Sequence, residues 1–405
     1  MSPRKTHKSF LIACAAIVLL AAILRAADSI EGVQPASIDQ PRIYLNLRRA
    51  VSGPVLHTAD KESASGVEAF LDTGASGIML SADTVKKLGV KVEKTSAGQE
   101  IKFEDTGVAG SDRFGVTEPL FAATARYPNA NPENPDDYGK PAGPFRAQIR
   151  AAGGLLELIS PGMDVAGMPV IIGQVVAMDP TPLAKFDKMR TALLPPGDSR
   201  IPKVSRHVPP SLVDFSRFTR IQPAGAPGPQ LIANPLIGPD PFKPADTHKP
   251  ITITHQGKTV SGSFLLDTGA AASMISKDLA QKLGVRVAAD GTLPDIPRGK
   301  QFELAIGGLG GAKQAHGLFF DRLELPTREK ERVIYTKIPL LVSDITVVDQ
   351  EGKTFTLDGV FGMNNLVASA EITGGLLPDV GKIVDGPFRW IVIDLKQNEL
   401  GLEPR

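Results

Sequence analysis

The chain repeats itself, and the repeat constrains its fold more than any other feature. Residues 71–92 read LDTGASGIMLSADTVKKLGVKV, and residues 266–287 read LDTGAAASMISKDLAQKLGVRV; without gaps, 13 of 22 positions are identical. The offset is 267 − 72, or 195 residues. Val165-Ala166-Gly167-Met168 and Val360-Phe361-Gly362-Met363 share it. Each half thus carries Asp-Thr-Gly and, 95 residues on, an apolar-apolar-Gly-Met segment. At average composition a chain this long holds about 0.1 Asp-Thr-Gly by chance. Two in matched context indicate a duplication.

Composition agrees with a β-rich reading. The 405 residues include 40 Gly and 34 Pro, which long helices tolerate poorly. Lys plus Arg is 45 and Asp plus Glu is 44, without the clustered basic excess of a nucleic-acid binder. The chain has a single cysteine, Cys14, too few for an intrachain disulfide or a Cys-rich metal site.

The local structure of each repeat is readable. Ile43–Leu47 and Ile251–Thr254 are expected as first strands. Val67–Leu71 and Ser263–Leu266 lead as second strands into the Asp-Thr-Gly turns. A short helix follows each turn. Ser81 and Ser276 are placed as N-caps, Asp83 and Asp278 favour the helix dipole, and Gly89 and Gly284 end the helices. The expected fold is all-β, with two duplicated β-barrel lobes at 40–179 and 250–405. Residues 180–249 form a Pro-rich interlobe segment; the window 180–250 holds 15 prolines. Its apolar residues, Leu212, Val213, Phe215, Phe218 and Ile221, predict a segment packed along the lobes rather than a free linker. Residues 127–145 are expected as a surface insertion.

Two identical carboxylate turns in duplicated lobes predict that Asp72 and Asp267 meet across a pseudo-twofold axis. Two adjacent carboxylates resist ionising together and share a proton. One acts as general base on a water, and the other as general acid towards a carbonyl. Gly74 and Gly269 allow the sharp turn and offer backbone N–H groups; Thr73 and Thr268 are placed to hydrogen-bond across the axis.

Asp72-Thr73-Gly74-Ala75-Ser76 and Asp267-Thr268-Gly269-Ala270-Ala271 resemble the active-site signature of aspartic proteases. Alanine after the glycine, with a helix ending in Lys-Leu-Gly, resembles the retropepsin-like bacterial aspartyl proteases. The resemblance implies a pepsin-like bilobal layout in one chain, and an aspartic endopeptidase with catalytic Asp72 and Asp267. It implies loop-bracing roles for Gly167 and Gly362, and flaps that close over a polypeptide substrate. Gly307–Gly311, with Gly308 and Gly310, is the flap candidate of the second lobe; Gly107, Gly110 and Gly115 hold a similar place in the first. A monomer without metal or other cofactor is expected. The alternative is a non-catalytic peptide-binding or scaffold protein on the same fold.

The first 27 residues read as a targeting segment. Arg4, Lys5 and Lys8 precede the uncharged apolar run Phe10–Leu24, whose 15 residues suit a signal peptide better than a bilayer span. Export to the periplasm or the extracellular space is expected. Contact with a membrane is expected only through an uncleaved N-terminal anchor.

Overall fold

The computed structural model describes residues 27–57, 66–108, 110–125, 131, 134–150, 164–185, 187–373 and 379–405. Residues 1–26 of the expected targeting segment 1–27 and part of the expected 127–145 insertion lie outside the described residues. Among the described residues the fold is mostly β, with three short helices, Ala82–Lys87, Met168–Ile171 and Lys277–Lys282.

Strands form where burial alternates. Ile251–His255 reads buried, half-buried, buried, half-buried, buried, as one face packs on a core and the other meets solvent. A ten-stranded sheet collects the first repeat and an eleven-stranded sheet the second. Their cores are lined by Leu45, Leu47 and Leu71 and by Phe264, Leu266 and Phe361, all fully buried.

The repeats pair in the same register. Gly66–Leu71 runs parallel to Asp164–Ala166, with Leu71 opposite Ala166; Phe264–Leu266 runs parallel to Gly359–Phe361, with Leu266 opposite Phe361. Both pairs are related by 195 residues. The helix caps are as expected: the Ser81 hydroxyl accepts from Thr84 N at 3.1 Å, and that of Ser276 from Leu279 N at 3.3 Å. Gly89 and Gly284 lie at φ +59° and +93°, the left-handed exit that glycine adopts without strain.

Two expectations are corrected. The lobes are not closed barrels: among the described residues both large sheets are open paths. Pro210 lies on an end strand of one sheet and Pro144 on an end strand of the other. A proline has no N–H with which to extend a ladder. The first strands also differ. Arg42–Arg48 runs unbroken against both Gly66–Leu71 and Leu120–Thr124. Its counterpart is split. Asn234–Ile237 pairs with the strand leading to Asp267, and Ile251–His255 pairs with Lys258–Gly262 and Gly311–Leu325. Between the halves lie Pro239, Pro241, Pro244 and Pro250, which cannot carry a ladder.

Segment 180–249 is therefore woven into the fold. Arg190–Leu194 and Arg206–Val208 are the end strands of a five-stranded sheet. Its middle joins Val175–Asp179 from the first repeat to Phe388–Asp394 and Glu399–Pro404 from the C-terminus. Pro210–Val213 pairs with Asn234–Ile237, and Arg220–Gln222 with Lys102–Gly107. Phe215, Phe218, Phe242 and Phe355 pack ring against ring, Phe218 stacking on Phe355 at 5.8 Å.

Asp164 ties the first helix to the floor of the N-terminal sheet. Its carboxylate accepts from Ser81 N and Thr84 Oγ1, each at 2.6 Å. Burial nevertheless pushes its pKa up to about 6, outweighing those hydrogen bonds and Arg150. A carboxyl raised on folding contributes stability that is complete below its unfolded value and lost as pH rises through the folded value. Asp164→Asn is thus expected to remove about 3 kcal/mol of pH dependence between pH 4 and 7. Thermal midpoints measured across that range check it. A variant as pH-sensitive as the parent would contradict this account.

Candidate active site

Each Asp-Thr-Gly turn hangs between two strands. Asp72 N donates to Ala166 O at 3.0 Å, and Asp267 N donates to Phe361 O at 3.1 Å. The next residues interlock the halves. Thr73 Oγ1 donates to Leu266 O and Thr268 Oγ1 to Leu71 O, both at 2.6 Å. Each hydroxyl also accepts the backbone N–H of the other threonine at 3.1 Å. Both threonines are fully buried. Four hydrogen bonds thus hold the two turns against each other.

This lock brings the carboxyls together. Asp72 and Asp267 hydrogen-bond to each other. Gly74 N and Ala75 N donate to Asp72 Oδ1 at 2.7 and 3.1 Å, and Ala270 N donates to Asp267 Oδ1 at 2.9 Å. The glycines are required by close approach rather than by an unusual φ. A Cβ on Gly74 would lie 2.5 Å from Asp267 Cγ, and one on Gly269 2.4 Å from Asp72 Oδ2.

Burial raises both carboxyls above the ordinary range. For Asp267 the neighbouring Asp72 charge and their shared hydrogen bond add to the effect of burial. For Asp72 the hydrogen bonds from Asp267 and from the amides of Gly74, Ala75 and Gly269 offset part of the burial. The pair thus favours a single negative charge, with one proton shared between the two carboxyls.

Gly167 and Gly362 pack against the turns. Met168 N donates to Ala75 O at 2.9 Å and Met363 N to Ala270 O at 2.8 Å. A Cβ on Gly167 would lie 2.0 Å from Gly77 O, and one on Gly362 2.8 Å from Ala272 O. The two braces differ in chemistry. The second adds Ser273, which donates to Asn364 Oδ1 and accepts from Gly362 N and Asn365 Nδ2, all within 2.9 Å. Its counterpart in the first repeat is the apolar Ile78.

The two glycine-rich hairpins form and meet. Lys102–Gly107 turns into Gly110–Val116, and Gln301–Gly308 turns into Gly311–Leu325. At the tips, a Cβ on Gly308 would lie 2.6 Å from Val108 Cγ1, and one on Gly310, at φ +85°, 2.5 Å from the Gly110 backbone. The tip side chains are exchanged. Leu309 packs on the N-terminal cluster of Met79, Phe103 and Phe114, and Val108 on the C-terminal cluster of Leu304 and Ala315. Gly115, grouped with the first hairpin's glycines, lies in the strand against Ile149 and away from the tip.

Sequence reasoning missed Gln40 and Asn234. Gln40 precedes the strand Arg42–Arg48 and Asn234 opens the strand Asn234–Ile237, and each reaches the turn of the other half. Gln40 Nε2 donates to Gly269 O. Asn234 Nδ2 donates to Thr73 O at 2.9 Å, and its Oδ1 accepts from Ser76 Oγ at 2.5 Å. The backbone repeats the exchange: Ser37 N donates to Ala271 O and Ile232 N to Ser76 O, both at 2.8 Å and again 195 residues apart. The available signal was Gln40-Pro41-Arg42-Ile43 beside Asn234-Pro235-Leu236-Ile237, an amide, proline and isoleucine pattern at an offset of 194. Among the described residues no three His, Cys, Asp or Glu side chains converge as a metal site would require.

Residues 251–364 match the family model for aspartyl proteases. The matched stretch spans Asp267, the longer glycine-rich hairpin and Gly362. No curated protein matches the chain.

Proposed function

We propose that the chain is a single-chain, two-lobed aspartic endopeptidase of the retropepsin-like kind, in which Asp72 and Asp267 act as one catalytic pair. The observation that carries this reading is the hydrogen-bonded carboxyl pair held by the reciprocal Thr73–Thr268 lock. A stretch of polypeptide lies between the pair and the two hairpins, which serve as flaps. Asp72, ionised, takes a proton from a water whose oxygen attacks the peptide carbonyl carbon. Asp267 gives its proton to the carbonyl oxygen, yielding a neutral gem-diol. The proton on Asp72 then passes to the amide nitrogen, the C–N bond breaks, and a diol proton returns to Asp267. The duplicated repeat accounts for both carboxylates, and the N-terminal segment directs the protein out of the cytoplasm as a monomer. Cleavage of an unfolded protein, blocked by pepstatin, is the expected result; peptide binding without cleavage would favour a scaffold role.

The pair also sets the pH of action. Activity requires one proton on the pair, and both carboxyls lie above the ordinary range, so the bell-shaped profile is expected to centre at mildly acidic pH. Ala75 and Ala270 carry no hydroxyl. A serine at both positions would donate a hydrogen bond to a carboxylate, stabilise the charged form and lower the pKa. The profile of the double Ala→Ser variant should move to lower pH. An upward shift, or a parent optimum near pH 2, would contradict this account.

A further inference from the structure

The inner wall of the N-terminal flap holds a carboxylate without a counterion. Alternation along Lys102–Gly107 puts Phe103, Asp105 and Gly107 on one face, opposite Phe114, Asp112 and Gly110 of the returning strand. This face points inward. Phe103 is fully buried with Met79, and a Cβ on Gly107 would lie 2.6 Å from Leu309 Cβ of the other flap. The outer face carries Lys102, Glu104 and Arg113, with Glu104 and Arg113 paired at 3.6 Å.

Asp105 is half-buried between the flap stem and the floor. Its Oδ2 accepts from Gln148 Nε2 at 2.8 Å, and its Oδ1 from Thr106 N at 2.8 Å. Gln148 is buried and pairs in register with Met79, on the strand that leaves the Asp72 turn. Among the described residues no Lys, Arg or His pairs with Asp105. Its cross-strand neighbour, the exposed Asp112, adds negative charge. A carboxylate kept from water and given only neutral donors lacks the partner that would offset its desolvation. Burial raises its pKa accordingly.

The other flap differs at the equivalent place. Counted back from the tip pairs Gly107–Gly110 and Gly308–Gly311, the partners Asp105 and Asp112 correspond to Ile306 and Lys313. Lys313 Nζ donates to Asp344 O at 3.3 Å. One flap thus attracts a cation where the other repels it, so the cleft has a charge direction that its near-symmetric frame lacks.

We propose that Asp105 is a specificity-determining residue, selecting peptides with a Lys or Arg side chain seated between the N-terminal flap and the Ile78–Ser81 strand. The proposal rests on the cleft being a peptide site, as in the protease reading. The incoming ammonium or guanidinium replaces the missing counterion, forming a charge-assisted hydrogen bond shielded from water by Leu309 and Phe103.

Two peptides that differ only in Lys or Met at a single position, scanned across the cleaved bond, provide the test. Each is measured for kcat/KM and, by fluorescence anisotropy, for binding. At one register the parent protein should favour Lys over Met by about 100-fold, and Asp105→Asn should reduce the ratio to less than about 5-fold. Asp105→Glu should recover part of it. Asp105→Ser serves as the second neutral variant, with circular dichroism confirming the fold of each. Cleavage without a Lys preference at any register, or a preference unchanged in both neutral variants, would overturn the proposal. Selective binding without cleavage would instead support Asp105 while removing the protease reading.

Discussion

Replacing either Asp72 or Asp267 by asparagine is expected to lower kcat/KM by at least about 10³-fold, close to the combined worth of a lost base and a lost acid. In the proposed mechanism the two carboxyls act as one unit. Each hydrogen-bonds the other, and one proton is shared between them. An amide can hydrogen-bond but cannot alternate between taking and giving the proton. The double variant should therefore be little worse than either single one, because effects within a unit do not add. The measurement is steady-state hydrolysis of one peptide, with circular dichroism confirming that each variant folds. Near-full activity in either single variant would sink the paired mechanism.

The next largest effect is expected from the threonine lock. Thr73→Val and Thr268→Val keep the shape but each removes a hydroxyl that makes two buried hydrogen bonds. The changes strand Leu266 O with Thr268 N, or Leu71 O with Thr73 N. Each is expected to cost about 2–4 kcal/mol, the price of leaving buried backbone groups unpaired. Activity should fall further than stability, since the lock also sets the spacing of the carboxyls. Thermal midpoints and kcat/KM, measured on both single variants and the double, give the coupling. Additive, purely stability-linked losses would mean that the threonines only hold the halves together.

Much of this site was legible because identity at a fixed offset is a strong signal. The serine caps followed from residues related by 195 positions, and the same offset singled out Asp72 with Asp267 and Gly167 with Gly362 as candidates. The second flap tip followed from glycine density at 307–311. What escaped reading depends on contacts without a local pattern. Gln40 and Asn234 act on turns 229 and 161 residues away. Asn234 also lies in a proline-rich stretch whose strands do not alternate clearly. The split first strand was hidden because Ile251–His255 does look like a strand, and is one; only its neighbour shows that Asn234–Ile237 took the place beside the Asp267 turn. Nothing local in the sequence marks Asp105, since facing inward is a property of the folded hairpin.

The exchanged contacts also dictate when the site comes into being. The first turn is finished by Ile232 and Asn234, and its flap rests on Leu309. The sheet spanning the two halves is closed only by the final strand, Glu399–Pro404. A chain still being synthesised, with the first repeat complete, therefore has one carboxyl and an unsupported loop. On the protease reading, competence would arrive only once Ile232, Asn234 and Leu309 have taken their places beside the first turn and its hairpin. On that reading the weave would act as a timer set by chain length, keeping the two carboxyls apart while the polypeptide is still being made.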